Sequence, residues 1–409
     1  MTSFADELNQ RLAALRGQNL FRELRRVDSA PGPRIQIGGR TFLNFSSNDY
    51  LGLANHLALK TAAIQAVERF GAGAGASRLI CGSLAPFHEL EESLAAFKKT
   101  EAALTFATGY VAALGTITAL LGKDDIIILD KLVHACIVDA ARLSGAKLRV
   151  FDHNDLNDLE DKLKWADKLA KVENGKRKAE ILVVTESIFS MDGDAAPLRE
   201  IVALKEKHGA WLMVDEAHAT GILGENGRGR ADELAVGSQI EIQMGTLGKA
   251  LGASGGYICG SRALIDFLVN RARSFIFSTA PVPAAAAAAM AGIQLAQSSE
   301  GERLRNLLAA RIHQCRAGVA PVSNLKAAGD RRDACPMTSA IIPLILGDES
   351  EAMTAAVKLR EQGIFVPAIR YPTVARAAAR LRVTLTSAHS ANDVSTLAKM
   401  LEQIVNRKS

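Results

Sequence analysis

Residues 210–218 read AWLMVDEAH and are the most diagnostic segment of this chain. Its first part is a short apolar run, a pattern typical of a strand that is buried on both faces. Asp215 stands where the run ends, and His218 follows three residues later. Ligands of α/β sheets bind beyond the carboxyl ends of the strands. The acid and the imidazole are therefore predicted to face a binding site.

Short apolar runs alternate with helical patterns through the middle of the chain. The other strand-like runs lie at residues 126–130, 181–185 and 242–245, and the helical segments include residues 86–98, 133–144 and 198–208. This alternation predicts an α/β fold with a mostly parallel sheet covered by helices on both faces. Glu186, Asp215 and Thr246 fall at or just past the predicted strand ends, so the expected site agrees with the expected architecture.

The pattern changes in the last quarter of the chain. Helices are predicted at residues 301–317 and 351–363, and strands at residues 338–346 and 381–386. The last strand alternates apolar and polar residues, which is typical of an antiparallel sheet. We therefore divide the chain into an N-terminal helix with a linking segment (residues 1–55), a large domain (residues 56–300) and a small C-terminal α+β domain (residues 301–409).

Two further helices are predicted outside this pattern. Phe4, Leu8, Leu12 and Leu15 recur at helical spacing, and we expect this short amphipathic helix to pack on the body of the protein. Residues 281–291 have proline at the first and third positions and are otherwise mostly alanine. Alanine is too weakly hydrophobic to drive membrane insertion, so this segment is predicted to be a buried helix with proline at its start.

The composition argues against several classes of protein. The chain has 409 residues, 48% of them hydrophobic and 23% charged, which favours a large folded core over disorder. The net charge is only +5 and aromatic residues make up 5%, so nucleic acid is not an expected partner. No secretory signal is recognised and no membrane partner is expected. The five cysteines lack metal-ligand spacing, which predicts reduced thiols in a cytoplasmic protein and no bound metal.

A lysine provides a third reactive group in addition to Asp215 and His218. Lys249 lies in residues 245–250, a loop of mostly small residues that follows the strand-like run at 242–245. Considered alone, Lys249 would be interpreted as a surface lysine. Together, the three side chains suit a cofactor with a basic ring nitrogen and an aldehyde, pyridoxal 5′-phosphate (PLP). The carboxylate would keep the ring nitrogen protonated, and the lysine would hold the aldehyde as a Schiff base.

A phosphate group needs backbone N–H donors, which helix N-termini provide. Gly109 and Tyr110 follow Thr108 and open a helical stretch, and glycine lets the backbone approach a ligand closely. Ser278 and Thr279, just before Pro281, are candidates for additional donors.

Four other residues have both a functional and a structural interpretation. His134 either stacks on the cofactor ring or caps a helix. Ser190 either bonds a ring substituent or initiates a turn. His218 is placed to reach the phenolic oxygen of the cofactor or a substrate carbonyl. Arg370 either grips the carboxylate of an amino acid through two parallel hydrogen bonds or is a surface arginine.

Taken together, these motifs resemble the α-oxoamine synthases, a family of PLP enzymes with the aminotransferase fold (fold type I). The matching stretches are residues 44–53, 75–78, 108–110, 190–198, 214–221 and 245–250, and the resemblance extends over nearly the whole chain. It implies a seven-stranded, mostly parallel sheet in the large domain. It also implies a homodimer that condenses an amino acid with an acyl thioester and releases carbon dioxide.

The resemblance implies a role for each matched position. Lys249 would form the internal aldimine and later move protons at the substrate carbon, while Asp215 would hold the ring nitrogen. His134, a catalytic candidate together with His218, would stack on the ring. Further cofactor contacts are implied for Ser190, Thr246, His218, Gly109 and Tyr110, and for Ser278 and Thr279 towards the phosphate of the other subunit. Substrate contacts are implied for Arg22, Asn48, His134, Arg370 and Thr373.

Within the family, the chain is most similar to the members that join L-alanine to a pimeloyl thioester in biotin synthesis. Residues 46–53, 368–374 and 380–386 carry this similarity, although Tyr371 stands where those members usually have proline. The sequence leaves open whether the acyl group is carried by coenzyme A or by an acyl-carrier protein. The alternatives are a sister synthase that uses glycine with acetyl-CoA or serine with a long-chain thioester, an aminotransferase, and a non-catalytic PLP-binding scaffold.

Overall fold

The structure is a computed structural model that describes residues 2–170, 179–319 and 339–406. The chain divides into two compact units. The first unit contains Met1–Ser47, Met191–Gly193 and Leu307–Ser409, and the second contains Asn48–Ser190 and Asp194–Asn306.

Helices and strands alternate along most of the chain. The helices are α1 (Phe4–Gly17), α2 (Leu57–Phe70), α3 (Ala85–Lys98), α4 (Gly109–Leu120), α5 (Ala135–Ser144), α6 (Leu156–Ala170), α7 (Leu198–His208), α8 (Arg230–Glu233), α9 (Arg262–Arg271), α10 (Arg273–Ile276), α11 (Pro283–Ala296), α12 (Ser299–Val319), α13 (Glu349–Glu361) and α14 (Ala391–Asn406). The strands are β1 (Arg34–Ile37), β2 (Arg40–Asn44), β3 (Ala102–Phe106), β4 (Ile126–Asp130), β5 (Lys147–Phe151), β6 (Ile181–Glu186), β7 (Trp211–Asp215), β8 (Ile242–Thr246), β9 (Gly256–Gly260), β10 (Ile341–Gly347), β11 (Ile364–Phe365), β12 (Ala368–Ile369) and β13 (Ala379–Thr384).

The second unit is built on a seven-stranded sheet with the order β3-β9-β8-β7-β6-β4-β5. All pairs from β8 to β5 are parallel, and β9 runs antiparallel to both of its neighbours. The mostly parallel seven-stranded sheet predicted from the sequence is therefore confirmed. The four predicted strands agree with β4, β6, β7 and β8 to within one residue at each end.

Burial on both faces explains why the central strands have unbroken apolar runs. Every residue of β4 and of β6 is buried, and apolar side chains from the helices cover the two faces in separate clusters. A strand with one solvent-exposed face would alternate apolar and polar residues instead. The alanine-rich helix α11 has proline in its first turn and is largely buried, as predicted.

The first unit contains two three-stranded sheets, with the orders β1-β2-β11 and β10-β13-β12. In the second of these sheets all pairs are antiparallel, which confirms the α+β character predicted for the C-terminal part of the chain. The predicted strand at residues 338–346 corresponds to β10, except that residue 338 lies outside the described residues.

The N-terminal helix forms, but the prediction that it packs on the body of the protein was wrong. Helix α1 contains no buried residue, and Phe4 is 82% exposed. Local interactions account for the helix, because Ser3 and Asp6 form a capping box and Glu7 bonds Arg11 one turn later. The apolar spacing of Phe4 and Leu8 indicated the helix correctly but did not determine what it contacts. Among the described residues, no helix has the length and apolar character needed to span a membrane.

Candidate active site

Two carboxylates end adjacent strands of the second unit. Glu186 and Asp215 are register partners at the carboxyl ends of β6 and β7, and both are buried. One carboxylate oxygen of Asp215 accepts the N–H of Ala217 at 2.9 Å. Burial raises the pKa of Asp215, while the nearby charges of Lys249 and His134 act in the opposite direction. The strand-end position predicted for Asp215 is thus the position that the structure shows.

No functional role was predicted for Glu186 from the sequence, although its position at a strand end could have indicated one. Burial, reinforced by the charge of Asp215, raises its pKa well above the ordinary value. Among the described residues, its Oε1 atom has no hydrogen-bond partner. A buried carboxylate next to a second acid is held neutral, because only one negative charge is tolerated there. Asp215 is therefore the better candidate for the charged member of the pair.

Lys249 lies beside His218. The Nζ atom of Lys249 is 2.8 Å from Nε2 of His218, and the hydroxyl of Tyr50 is 2.5 Å from Nδ1 of the same ring. Because the ammonium group can only donate, Nε2 accepts and Nδ1 carries the proton of the neutral ring. The Tyr50 oxygen accepts that proton, and its hydroxyl donates to Oδ1 of Asn48 at 3.3 Å. A continuous chain of hydrogen bonds thus connects Asn48 with Lys249.

Tyr50 is a component of this site that the sequence did not identify, although it lies within the 44–53 motif. Its side chain is fully buried. The segment that carries Tyr50 is fixed by Asp49, whose Oδ1 accepts the N–H of Leu53 at 2.8 Å. Tyr50 therefore orients the imidazole of His218 from the side opposite Lys249.

The loop that carries Lys249 is closed by its own backbone. The hydroxyl of Thr246 donates to the carbonyl oxygen of Gly255 at 3.0 Å and accepts the N–H of Gly248 at 3.2 Å. The N–H of Gly252 reaches the carbonyl of Lys249 at 2.9 Å. Gly252 has φ of +69°, and a Cβ atom there would lie 2.6 Å from Leu53, so only glycine fits. In this structure Thr246 thus stabilises the lysine loop.

A helix N-terminus lies next to this loop. Thr108 caps α4 by accepting the N–H of Val111, and Gly109 is the first helical residue. The opening N–H groups of a helix have no partner within the helix, which makes this position suitable for a phosphate. A Cβ atom on Gly109 would lie 3.9 Å from Cβ of Thr246, so the two predicted cofactor contacts are neighbours. Tyr110 donates its hydroxyl to Asp139 at 2.5 Å.

His134 caps helix α5, which is the structural role predicted for it from the sequence. Its Nδ1 accepts the N–H of Cys136 at 3.2 Å, and the side chain remains exposed. Capping uses only the edge of the ring, so the ring face is still available for stacking. His134 is close enough to influence the pKa of Asp215. The two interpretations of His134 are therefore compatible.

Two other groups of predicted residues occupy separate turns of the second unit. Ser190 follows Phe189 in a hairpin closed by a bridge between Ile188 and Ala195. Thr279 pairs with Ser77 in an isolated antiparallel bridge, and Ser278 precedes it. This places the 278–279 turn against the 75–78 motif.

The candidate substrate residues of the first unit converge on one cavity. Its volume is about 480 Å³, and its lining includes Arg22, Arg370 and Thr373 together with Arg25 and Arg360. Arg370 donates to the carbonyl oxygen of Phe21 at 2.7 Å, and Arg22 to the hydroxyl of Thr373 at 3.3 Å. Desolvation, followed by the charge of Arg22, lowers the pKa of Arg370. Such a group of guanidinium ions favours an anionic ligand.

Known proteins resemble this chain over nearly its whole length. The family described as aminotransferase class I and II matches residues 40–401. The 8-amino-7-oxononanoate synthase of Geobacter sulfurreducens is 45% identical over 98% of this chain and 97% of the relative, and that of Geotalea daltonii is 47% identical over 96% and 95%.

Solved structures give the same result. Serine palmitoyltransferase of Sphingomonas wittichii superimposes with a TM-score of 0.87 at 30% identity, covering 99% of both chains. An 8-amino-7-oxononanoate synthase of Francisella tularensis has a TM-score of 0.74 at 27% identity, covering 90% of this chain and 98% of that one. The chain therefore belongs to the aminotransferase class I and II family and, within it, to the α-oxoamine synthases that these relatives represent.

Proposed function

We propose that this protein is a PLP-dependent acyltransferase that condenses L-alanine with a pimeloyl thioester. The products are 8-amino-7-oxononanoate, carbon dioxide and the free thiol, a step of biotin synthesis. The observation that supports this proposal most strongly is the arrangement of Lys249, His218 and Asp215 at the carboxyl ends of the parallel strands. The relatives that match this chain over nearly its whole length are 8-amino-7-oxononanoate synthases, which supports the same reaction.

The groups around this site suit PLP. A primary amine, a buried carboxylate and a helix N-terminus correspond to the aldehyde, the ring nitrogen and the phosphate of the cofactor. In this proposal Lys249 would bind the aldehyde carbon, Asp215 the ring nitrogen, and the start of α4 at Gly109 and Tyr110 the phosphate. His134, Ser190 and Thr246 would contact the ring or its substituents. When bound, PLP would supply an electron sink for negative charge on the α-carbon of alanine.

In the proposed reaction, side chains of this protein remove, transfer and return the protons. In this proposal the amine of Lys249 would remove the α-proton of alanine, after which the α-carbon would attack the thioester carbonyl and the thiol would leave. The resulting β-keto acid would lose carbon dioxide, and Lys249, reprotonated from solvent, would donate a proton to the α-carbon. Nε2 of His218 lies 2.8 Å from Nζ of Lys249, so the α-proton can pass from Lys249 to His218, which would donate it to the thioester oxygen. When the carbonyl re-forms and the C–S bond breaks, this proton would return to His218 and go to the departing thiolate. Tyr50 holds the ring in place for this transfer.

The cavity of the first unit supports an anionic substrate. The carboxylate of alanine, the distal carboxylate of a pimeloyl group and the phosphates of coenzyme A all carry negative charge. We propose that Arg370 binds the carboxylate of alanine and that Arg22 and Thr373 contact the acyl thioester, with Asn48 also contacting substrate. We further propose that the protein acts as a homodimer in which Ser278 and Thr279 extend to the phosphate bound by the other subunit.

Replacing Arg370 by lysine is expected to raise the KM for alanine about 10- to 100-fold, with a smaller change in kcat. A planar guanidinium holds a carboxylate through two parallel hydrogen bonds, and an ammonium group cannot reproduce that geometry. Steady-state kinetics with varied alanine measure the effect. Arg40→Lys is a matched control, because Arg40 also donates to a backbone carbonyl of the first unit, that of Glu361. Equal KM values for the two variants would argue against this role of Arg370.

A free-thiol release assay tests the proposed reaction itself. L-alanine, glycine and L-serine are each combined with pimeloyl-, acetyl- and palmitoyl-CoA, and we expect the highest kcat/KM for alanine with the pimeloyl thioester. A preference for glycine with the acetyl thioester, or for serine with the palmitoyl thioester, would assign the protein to a sister synthase. The serine palmitoyltransferases among the structural neighbours make the latter the second candidate. Keto acid formation without thiol release would indicate an aminotransferase, and no turnover a non-catalytic scaffold.

A further inference from the structure

A buried histidine outside the catalytic set lies between two carboxylates of the second unit. Nδ1 of His153 is 2.8 Å from Oδ1 of Asp130, and Nε2 is 2.7 Å from Oδ2 of Asp194. The side chain of His153 is only 2% exposed. A neutral imidazole has a single N–H, whereas carboxylates can only accept. Two short contacts to carboxylates therefore require both ring nitrogens to carry protons, which makes His153 an imidazolium ion.

On one side, this ion anchors the turn that leads to His134. Asp130 ends strand β4, and its carboxylate accepts the N–H of Leu132 at 2.8 Å and that of Asn154 at 3.0 Å. Two residues beyond Leu132, His134 begins helix α5 as its cap. The carboxylate that binds His153 thus also fixes the backbone from which His134 projects.

On the other side, the ion anchors the hairpin that carries Ser190. Asp194 accepts the N–H of Phe189 at 2.9 Å through its backbone carbonyl, which closes the hairpin around Ser190. The ring of Phe189 packs edge-on against the imidazole of His153, with the ring centroids 4.3 Å apart. Asn154 adds a hydrogen bond to the carbonyl of Ala195 at 3.1 Å. His153 and its neighbour therefore contact both arms of the hairpin.

We propose that His153 is a positioning residue whose imidazolium ion ties the turn bearing His134 to the hairpin bearing Ser190, and so fixes these two side chains relative to each other. The assignment of His134 and Ser190 to the cofactor rests on the proposed function. The ordering of the two backbone segments does not rest on the proposed function, because it can be measured on the protein without cofactor.

The balance between burial and the two neighbouring carboxylates explains why a charged histidine is stable at this position. Burial alone would lower the pKa of the ring, but the hydrogen bonds and charges of Asp130 and Asp194 outweigh it and raise the pKa to about 9. Asp130 and Asp194 are the ionisable groups that bond the ring, and Asn154 is neutral. Because the folded pKa lies above that of a free histidine, the stabilisation is complete below about pH 6.5 and is lost as the pH rises through the folded value. At neutral pH the ion pairs are therefore intact.

Amide hydrogen exchange of the cofactor-free protein tests this inference. In His153→Gln we expect exchange about tenfold faster in residues 131–136 and in residues 187–196, with little change in strand β8, because the opening is local. His208→Gln is the matched control, since the side chain of His208 is only 6% exposed and also bonds an aspartate, Asp167, at 2.6 Å. It should leave both segments unchanged. Unaltered exchange in His153→Gln, or equal loosening in both variants, would overturn the proposal.

A second variant covers the case in which His153→Gln does not fold. Asp194→Asn keeps the size of the side chain and removes the charge on one side only. Faster exchange is then expected in residues 187–196 but not in residues 131–136. Wild-type protein should show the same loosening of both segments above about pH 9, after correction for the intrinsic pH dependence of exchange. Loosening of both segments by Asp194→Asn, or no change across this pH range, would contradict the proposed arrangement.

Discussion

Replacing Lys249 by alanine is expected to abolish the visible absorption of the bound cofactor and to reduce thiol release at least about 10³-fold. Lys249 is the only proposed group that both holds the aldehyde carbon and moves the α-proton. Its Nζ atom lies 2.8 Å from Nε2 of His218, so the amine is held beside a group that can exchange a proton with it.

Two further variants make this result specific. Lys249→Arg keeps the positive charge but cannot serve as the amine, so it should be as inactive as the alanine variant. Lys131→Ala removes an exposed lysine that pairs with Asp152 at 3.0 Å and should retain the absorption and the activity. An alanine variant of Lys249 that kept both the absorption band and full turnover would refute the assignment.

Asp215→Asn is expected to lower kcat about 10²- to 10³-fold and to weaken PLP binding, because a neutral amide cannot keep the ring nitrogen protonated. The fold should be preserved, since asparagine can still accept the N–H of Ala217 that Asp215 now accepts. Steady-state thiol release and a fluorescence titration with PLP measure the two effects.

Glu186→Gln is the matched control for this change. Both acids are buried at adjacent strand ends, and burial raises the pKa of each. The pKa of Glu186 is raised well above its ordinary value, which makes Glu186 the member of the pair that favours the neutral form. An amide in place of a neutral acid removes no charge, and activity within a few-fold of wild type is expected. If the two variants lost activity equally, the distinction between a charged Asp215 and a neutral Glu186 would be wrong.

The central sheet was predictable from the sequence because its strands are buried on both faces. An apolar run such as that of β7 has few alternative structures, and Asp215 at its end marks the side of the sheet where ligands bind. The edge strand β5 gives a much weaker signal, since most of its residues are partly or fully exposed. The contacts of helix α1 could not be predicted, because apolar spacing indicates a helix but not its partner.

Part of the candidate site could not be predicted from the sequence, for a physical reason. Lys249, Asp215 and His218 were recognised because PLP chemistry requires these residue types. Tyr50 and His153 act through contacts between residues far apart in the chain. His153 bonds Asp130 and Asp194, which are 23 and 41 residues away, and no local pattern predicts such pairing.

The most direct test of the central claim is to reduce the PLP-loaded protein with borohydride, digest it and map the modified residue by mass spectrometry. We expect a phosphopyridoxyl group on Lys249, at about one group per chain, and an Asp215→Asn protein that acquires the label only at higher PLP concentration. A label on a different lysine, or none at all, would contradict it.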